Sequence, residues 1–223
     1  MKKFGLLLVV LPLIIFNCTD KENNKCTQKC DSVKLAPKEL LEYFIFNKGS
    51  YWVYKLNGTD TTDTLTFAGF HEDHFELKAG CNYGMAPCQK RYRIAYYHSN
   101  LDKFPVGTSF GKSQESYSLE FSSSSNQWMI THTSDHGGAG SLSYFLAYPF
   151  EINQQFEQFR FLKNTSSSLT VPAGNFQCLE TEMRPKPVSG RFYQSMHWGE
   201  KTGLIRYEIS PNKIWALIYY HLN

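Results

Sequence analysis

The sequence predicts an all-β protein: an antiparallel barrel, half-barrel or sandwich of about a dozen strands, with one short N-terminal helix. Three observations predict it. Apolar and polar side chains alternate with a period of two in segment after segment beyond Gly49, the pattern of sheets with one buried and one wetted face. The segments are short and joined by stretches rich in Gly, Ser, Asn and Pro, which suits barrels and sandwiches better than βαβ units. Aromatic residues make up 16% of the chain, with 14 Tyr and 17 Phe, and such rings favour strands.

The chain opens Met1-Lys2-Lys3 and continues in an apolar run from Phe4 to Phe16, broken only by Gly5 and Pro12. Two lysines ahead of a run shorter than the ~20 residues a spanning helix needs mark residues 1–17 as a signal peptide. Export follows. Ile15-Phe16-Asn17-Cys18 resembles the lipobox of bacterial lipoproteins, in which a peptidase cuts before the Cys and acyl chains are joined to it. The resemblance implies lipid attachment at Cys18, a membrane partner held through N-terminal acyl chains, and a place in the bacterial cell envelope, foremost the outer membrane. The alternative is plain secretion with Cys18 in a disulfide. Cutting before Cys18 leaves 206 residues, and loss of Lys2 and Lys3 takes the formal charge from +3 to +1. That balance offers no basic field for nucleic acid.

Residues 18–36 are polar and poor in large apolar side chains, so they read as a flexible tether. Residues 37–223 read as a single β domain. Pro37 to Phe44 can open a short helix, with Pro in the first turn and apolar side chains three and four residues apart. From Tyr51 to Leu56 the period is two, and Asn57-Gly58 is a hairpin signal. Phe75, Leu77 and Ala79 share one strand face, as do Tyr92, Ile94 and Tyr96, and then Tyr117, Leu119 and Phe121. Further strands are expected at 127–133, 142–148, 156–162, 176–184, 192–198, 204–209 and 214–220. The last is apolar on both faces, which places it inside a sheet covered on both sides. Leu169 to Leu179 organise the second half: Pro172 presets a turn dihedral, and Gly174-Asn175 tolerate the positive φ that closes a hairpin.

Five cysteines remain beyond Cys18. In an oxidising envelope Cys26 with Cys30, and Cys81 with Cys88, are candidate disulfides, although spacing alone does not fix pairing. Cys178 reads as a buried apolar thiol. A metal at Cys26 and Cys30 lacks two further ligands, so neither metal nor cofactor is expected.

Catalytic motifs are weak. Gly107-Thr108-Ser109-Phe110-Gly111 matches the serine-hydrolase elbow in form, and His136-Gly137-Gly138 an oxyanion loop, but the elbow needs a following helix where this chain alternates as a strand. Glu180 and Glu182 lie on one polar strand face. The remaining feature is a set of aromatic residues counted as exposed: Trp52, Tyr54, Tyr96, Trp128, Trp198 and Tyr220 as candidate ligand-facing rings, with Tyr97 and Tyr219 beside them.

Two blocks carry a resemblance. Phe44 to Tyr54 resembles the opening of β-rich lipoproteins of Gram-negative bacteria. Val171-Pro172-Ala173-Gly174-Asn175-Phe176, followed by Trp198 to Glu208, is similar to their Pro-Ala-Gly-x-Phe tail. The family implies the fold and carries no active site. The expectation is a non-enzymatic binding or structural module, with a glycan, lipid or envelope protein as partner. The alternatives are a carrier of lipids or acylated molecules in an apolar lumen, and a serine hydrolase using Ser109.

Overall fold

The computed structural model describes residues 33–75, 89–99, 114–122, 125–134, 143–157, 160–184, 193–209 and 213–223. They form one short helix, α1 (Lys38–Leu41), and twelve strands: β1 (Tyr51–Leu56), β2 (Thr62–Phe75), β3 (Gln89–His98), β4 (Gln114–Ser122), β5 (Gln127–Ser134), β6 (Ser143–Tyr148), β7 (Gln155–Glu157), β8 (Arg160–Val171), β9 (Gly174–Met183), β10 (Tyr193–Gly199), β11 (Gly203–Ile209) and β12 (Lys213–His221). All strands join one antiparallel sheet. Its order is β6-β5-β4-β3-β2-β1-β12-β11-β10-β9-β8-β7: each strand lies beside its neighbour in sequence, except at the centre, where β1 pairs with β12. The edge strands β6 and β7 come side by side, so the sheet curls into a nearly closed barrel.

Alternation sets the barrel's inside. Trp52 and Tyr54, Leu65 and Phe67, Tyr92, Ile94 and Tyr96, and Tyr117, Leu119 and Phe121 are all buried, as the period of two predicts. Rings fill the middle. Trp52 packs on Tyr96 at 5.8 Å between centroids, Tyr96 on Tyr117 at 5.7 Å and Tyr117 on Trp198 at 5.7 Å. The segment around α1 joins this core. Leu40 and Phe44 are fully buried, Phe44 lies 4.8 Å from Trp198, and Tyr96 donates its hydroxyl hydrogen to Phe44 O at 2.9 Å. Lys201 N–H donates to Glu42 O, and Gly203, at φ +85°, lies where an added Cβ would stand 3.2 Å from the rings of Phe46 and Trp52. The chain closes tightly over α1 there, and only glycine fits without strain.

Three boundaries differ from the sequence expectation. Lys34 and Ala36, expected in the tether, join the β domain, because Lys90 N–H donates to Lys34 O and Ala36 is buried; residues 18–32 lie outside the described residues. The strand expected at 156–162 is divided: β7 ends at Glu157, and β8 begins at Arg160 and runs to Val171. The stretch Asn164 to Ser168 shows no apolar alternation, yet it is strand because β9 supplies its partners. β2 also begins earlier than the alternation suggests, at Thr62.

The hairpin of β8 and β9 turns at Pro172 and Ala173 as its sequence predicts, with Gly174 at φ +140°. Its tip reaches β12, three strands away in the sheet. Ala173 N–H donates to Leu217 O, and Phe176 meets Tyr220 edge-on at 6.1 Å. The hairpin therefore crosses β10 and β11, and all seven residues of β10 are buried. The outward side of β12 is covered only in part, half-buried at Ile214, Ala216 and Ile218 and open at Tyr219, so the cover on both faces that its apolar run predicts is incomplete. Cys178 is a free, buried thiol at the root of this arm. Burial, and after it the charge of Glu180, pushes the thiol pKa up to about 12. Mapping of alkylated thiols should leave Cys178 unlabelled until denaturant is added; labelling in the folded protein would mean that the arm does not stay down.

Candidate functional site

The aromatic residues expected to be exposed divide in two. Trp52, Tyr54, Tyr96, Trp128 and Trp198 are buried core residues, a correction to the expectation of exposure. Tyr54 donates to Leu204 O at 2.7 Å and packs on Tyr207, and Trp128 packs on Phe121 and Tyr92. Tyr220 is half-buried against Phe176. Tyr97 and Tyr219 stay outside, the latter 52% exposed.

Those two belong to an outward surface across β12, β1, β2 and β3. In the register, Tyr51 stands between His221 and Thr66, and Thr66 stands opposite Tyr97. The next outward row holds Tyr219, Val53 and Thr64. Rings pack across the strands, Tyr51 at 6.0 Å from Tyr219 and 5.6 Å from His221. The Tyr219 hydroxyl beside it is the main cause holding the Tyr51 pKa above its ordinary value. His221 is fixed as well: its Nε2–H donates to Asn223 Oδ1 at 2.9 Å, and Asn223 in turn donates to Lys48 O and Ser50 Oγ. Four strands at the usual spacing span about 14 Å. The result is a row of rings and hydroxyls on a rigid floor, able to stack on an apolar ligand face and hydrogen-bond its rim. Tyr51 and His221 were not singled out from the sequence. The signal was present, since a strand that buries Trp52 and Tyr54 must turn Tyr51 and Val53 outward.

Two further polar groupings stand apart from this surface. Inside the barrel, His98 Nδ1–H donates to Asp63 Oδ2 at 2.6 Å, and Ser99 Oγ donates to Asp63 Oδ1 at 3.3 Å. Both side chains are at most 1% exposed, and the pair ties β2 to β3. On the outer side of β8, β9 and β10, Glu180 and Glu182 share a face as predicted, and cations hold both. Lys163 Nζ lies 2.8 Å from Glu180 and 3.6 Å from Glu182, and Arg184 pairs with Glu182. His197 approaches Glu180 at 3.6 Å; burial outweighs the pull of that carboxylate and lowers the pKa of the His197 imidazole. Carboxylates so neutralised form a structural ladder. Among the described residues, no group of three or more His, Cys, Asp or Glu could hold a metal ion. Cys18, Cys26, Cys30, Cys81, Cys88, Ser109 and His136 lie outside the described residues.

No protein-family model matches the chain, and no curated protein is found similar to it. Among solved structures it is similar to a Bacteroides fragilis protein inferred to be exported and given a YmcC-like fold. The identity is 11% and the TM-score 0.44, over 80% of this chain and 98% of that one.

Proposed function

We propose that this protein is an envelope-anchored lipoprotein whose barrel is a non-enzymatic binding module, and that it takes a glycan on the outward rows of β12, β1, β2 and β3. The observation that carries this reading is the placement of Tyr51, Tyr97 and Tyr219 on the outside of a barrel whose interior, among the described residues, is packed with rings. Tyrosine is an amphipathic surface: its face stacks on the C–H side of a sugar ring while its hydroxyl, with those of Thr64 and Thr66, meets the sugar's hydroxyls. The anchor rests on the lysines, the short apolar run and Cys18. The ring-filled interior weighs against a lipid carrier, which needs a dry cavity of ~300 Å³ or more.

The test uses the mature chain carrying Cys18→Ala, titrated with bacterial oligosaccharides by calorimetry. One or more should bind, and Tyr219→Ala or Tyr97→Ala should each weaken binding about five- to tenfold, the equivalent of about 1 kcal/mol per ring. A silent glycan panel, or affinity indifferent to both substitutions, would remove the glycan. Mass spectrometry finding Cys18 unacylated in the native protein would separately remove the anchor.

A further inference from the structure

β8 outruns the strand that covers it. β7 pairs with β8 at Arg160 and Phe161, and the backbone of Asn153 and Gln154 adds bonds at Leu162. From Lys163 to Thr170 the edge turned away from β9 pairs with no other strand among the described residues. The turn decides which backbone groups lie on that edge. Val171 and Gly174 flank the two-residue turn as a hydrogen-bonded pair, so bonding alternates along the ladder, and the N–H and C=O of Ser168 and Thr170 point away from β9.

Sheet edges are ordinarily guarded by charge, proline or a bulge. Here Lys163 and two register shifts guard the start, the second ending at Ser167, and Asn164 Oδ1 accepts from Ser166 N–H. Pro172 guards the tip. Between them, Ser166-Ser167-Ser168-Leu169-Thr170 has no charge and no proline, its register from Ser167 is regular, and Ser166, Ser168 and Thr170 are exposed.

We propose that this edge pairs with the same edge of a second copy of the chain, antiparallel about a two-fold axis at Ser168. An antiparallel strand is complementary to itself under that rotation. Ser168 then bonds its own counterpart through the outward N–H and C=O of each copy, while Ser166, its N–H held by Asn164 Oδ1, stands opposite Thr170 with both hydroxyls still donating to β9. Charge selects the same partner. With no ionised group along the stretch, two copies meet without repulsion, whereas nothing on it would attract a charged foreign strand. One strand pair is a small interface, so the dimer forms at high protein concentration.

Sedimentation equilibrium of the mature Cys18→Ala chain should show a monomer that dimerises as concentration rises. Hydrogen exchange at Ser168 and Thr170 should slow in step, by at least tenfold between dilute and concentrated samples. Ser168→Pro deletes the outward N–H and leaves the β9 ladder intact, so it should abolish the dimer with an unchanged circular dichroism spectrum. The proposal fails if the chain stays monomeric up to its solubility limit, if a dimer forms while exchange at Ser168 and Thr170 is unaltered, or if a folded Ser168→Pro protein still dimerises. The exchange measurement on the unaltered strand decides the matter even where the proline variant does not fold.

Discussion

Asp63→Ala should lower the free energy of unfolding by about 3 kcal/mol, the upper end of the cost of leaving a buried hydrogen-bonding group without its partner. His98 would be left inside the barrel with the carboxylate that fixes its Nδ1–H gone, and Ser99 would lose its acceptor. The cost comes mainly from stranding the second group rather than from the worth of the bond. Replacing both members with apolar residues should therefore cost less than the single change, since a matched apolar pair strands nothing. Urea unfolding of Asp63→Ala and of Asp63→Leu with His98→Leu makes the comparison. A single variant within about 1 kcal/mol of the parent, or a double variant as unstable as the single one, would mean that water reaches the pair.

Phe44→Ala should cost a similar amount, about 3–5 kcal/mol, for loss of a fully buried phenyl ring. Its ring is fully covered, touching Trp198 at 4.8 Å and Tyr117 at 6.4 Å. The substitution keeps the Phe44 carbonyl that Tyr96 binds, so the loss is one of packing. The segment from residue 33 to residue 46 should also become open to protease at concentrations that leave the parent uncut, because Leu40 and Phe44 are its two fully buried side chains. Thermal unfolding with Trp fluorescence measures the first effect and limited proteolysis the second. A variant that melts with the parent and resists protease would show that α1 is held by Leu40 and its backbone bonds alone.

Much of the barrel was legible because its inward positions are apolar. Tyr92, Ile94 and Tyr96 alternate with Arg91 and Arg93, and nothing in that strand confuses the eye. Where an inward position is polar the pattern breaks. Asp63 faces the core beside Leu65 and Phe67, so the start of β2 reads as a polar turn until His98, 35 residues on, supplies the reason for the carboxylate. Ser166 to Ser168 in β8 fail for another cause, since their conformation is imposed by pairing with β9 rather than by burial. The candidate site was half legible. Tyr97 and Tyr219 were named, but Trp52 and Tyr54 were placed on the wrong side, because Tyr51-Trp52-Val53-Tyr54 carries large residues on both faces and alternation alone does not say which face is in. The path of the arm over β10 and β11 depends on contacts across three strands, which no local pattern encodes.

The central pairing has a consequence for how the molecule is made. β1 and β12 stand at the two ends of the strand order in sequence and yet are neighbours in the sheet, so joining them closes a loop through nearly the whole β domain before any reward is gained. That one long-range pairing is slow to close, while the other strand pairs join sequence neighbours, and a chain emerging from synthesis holds β1 with one side bare until β12 arrives. The two ends of the meander are thus joined in a single late step, and that step sets the centre of the sheet.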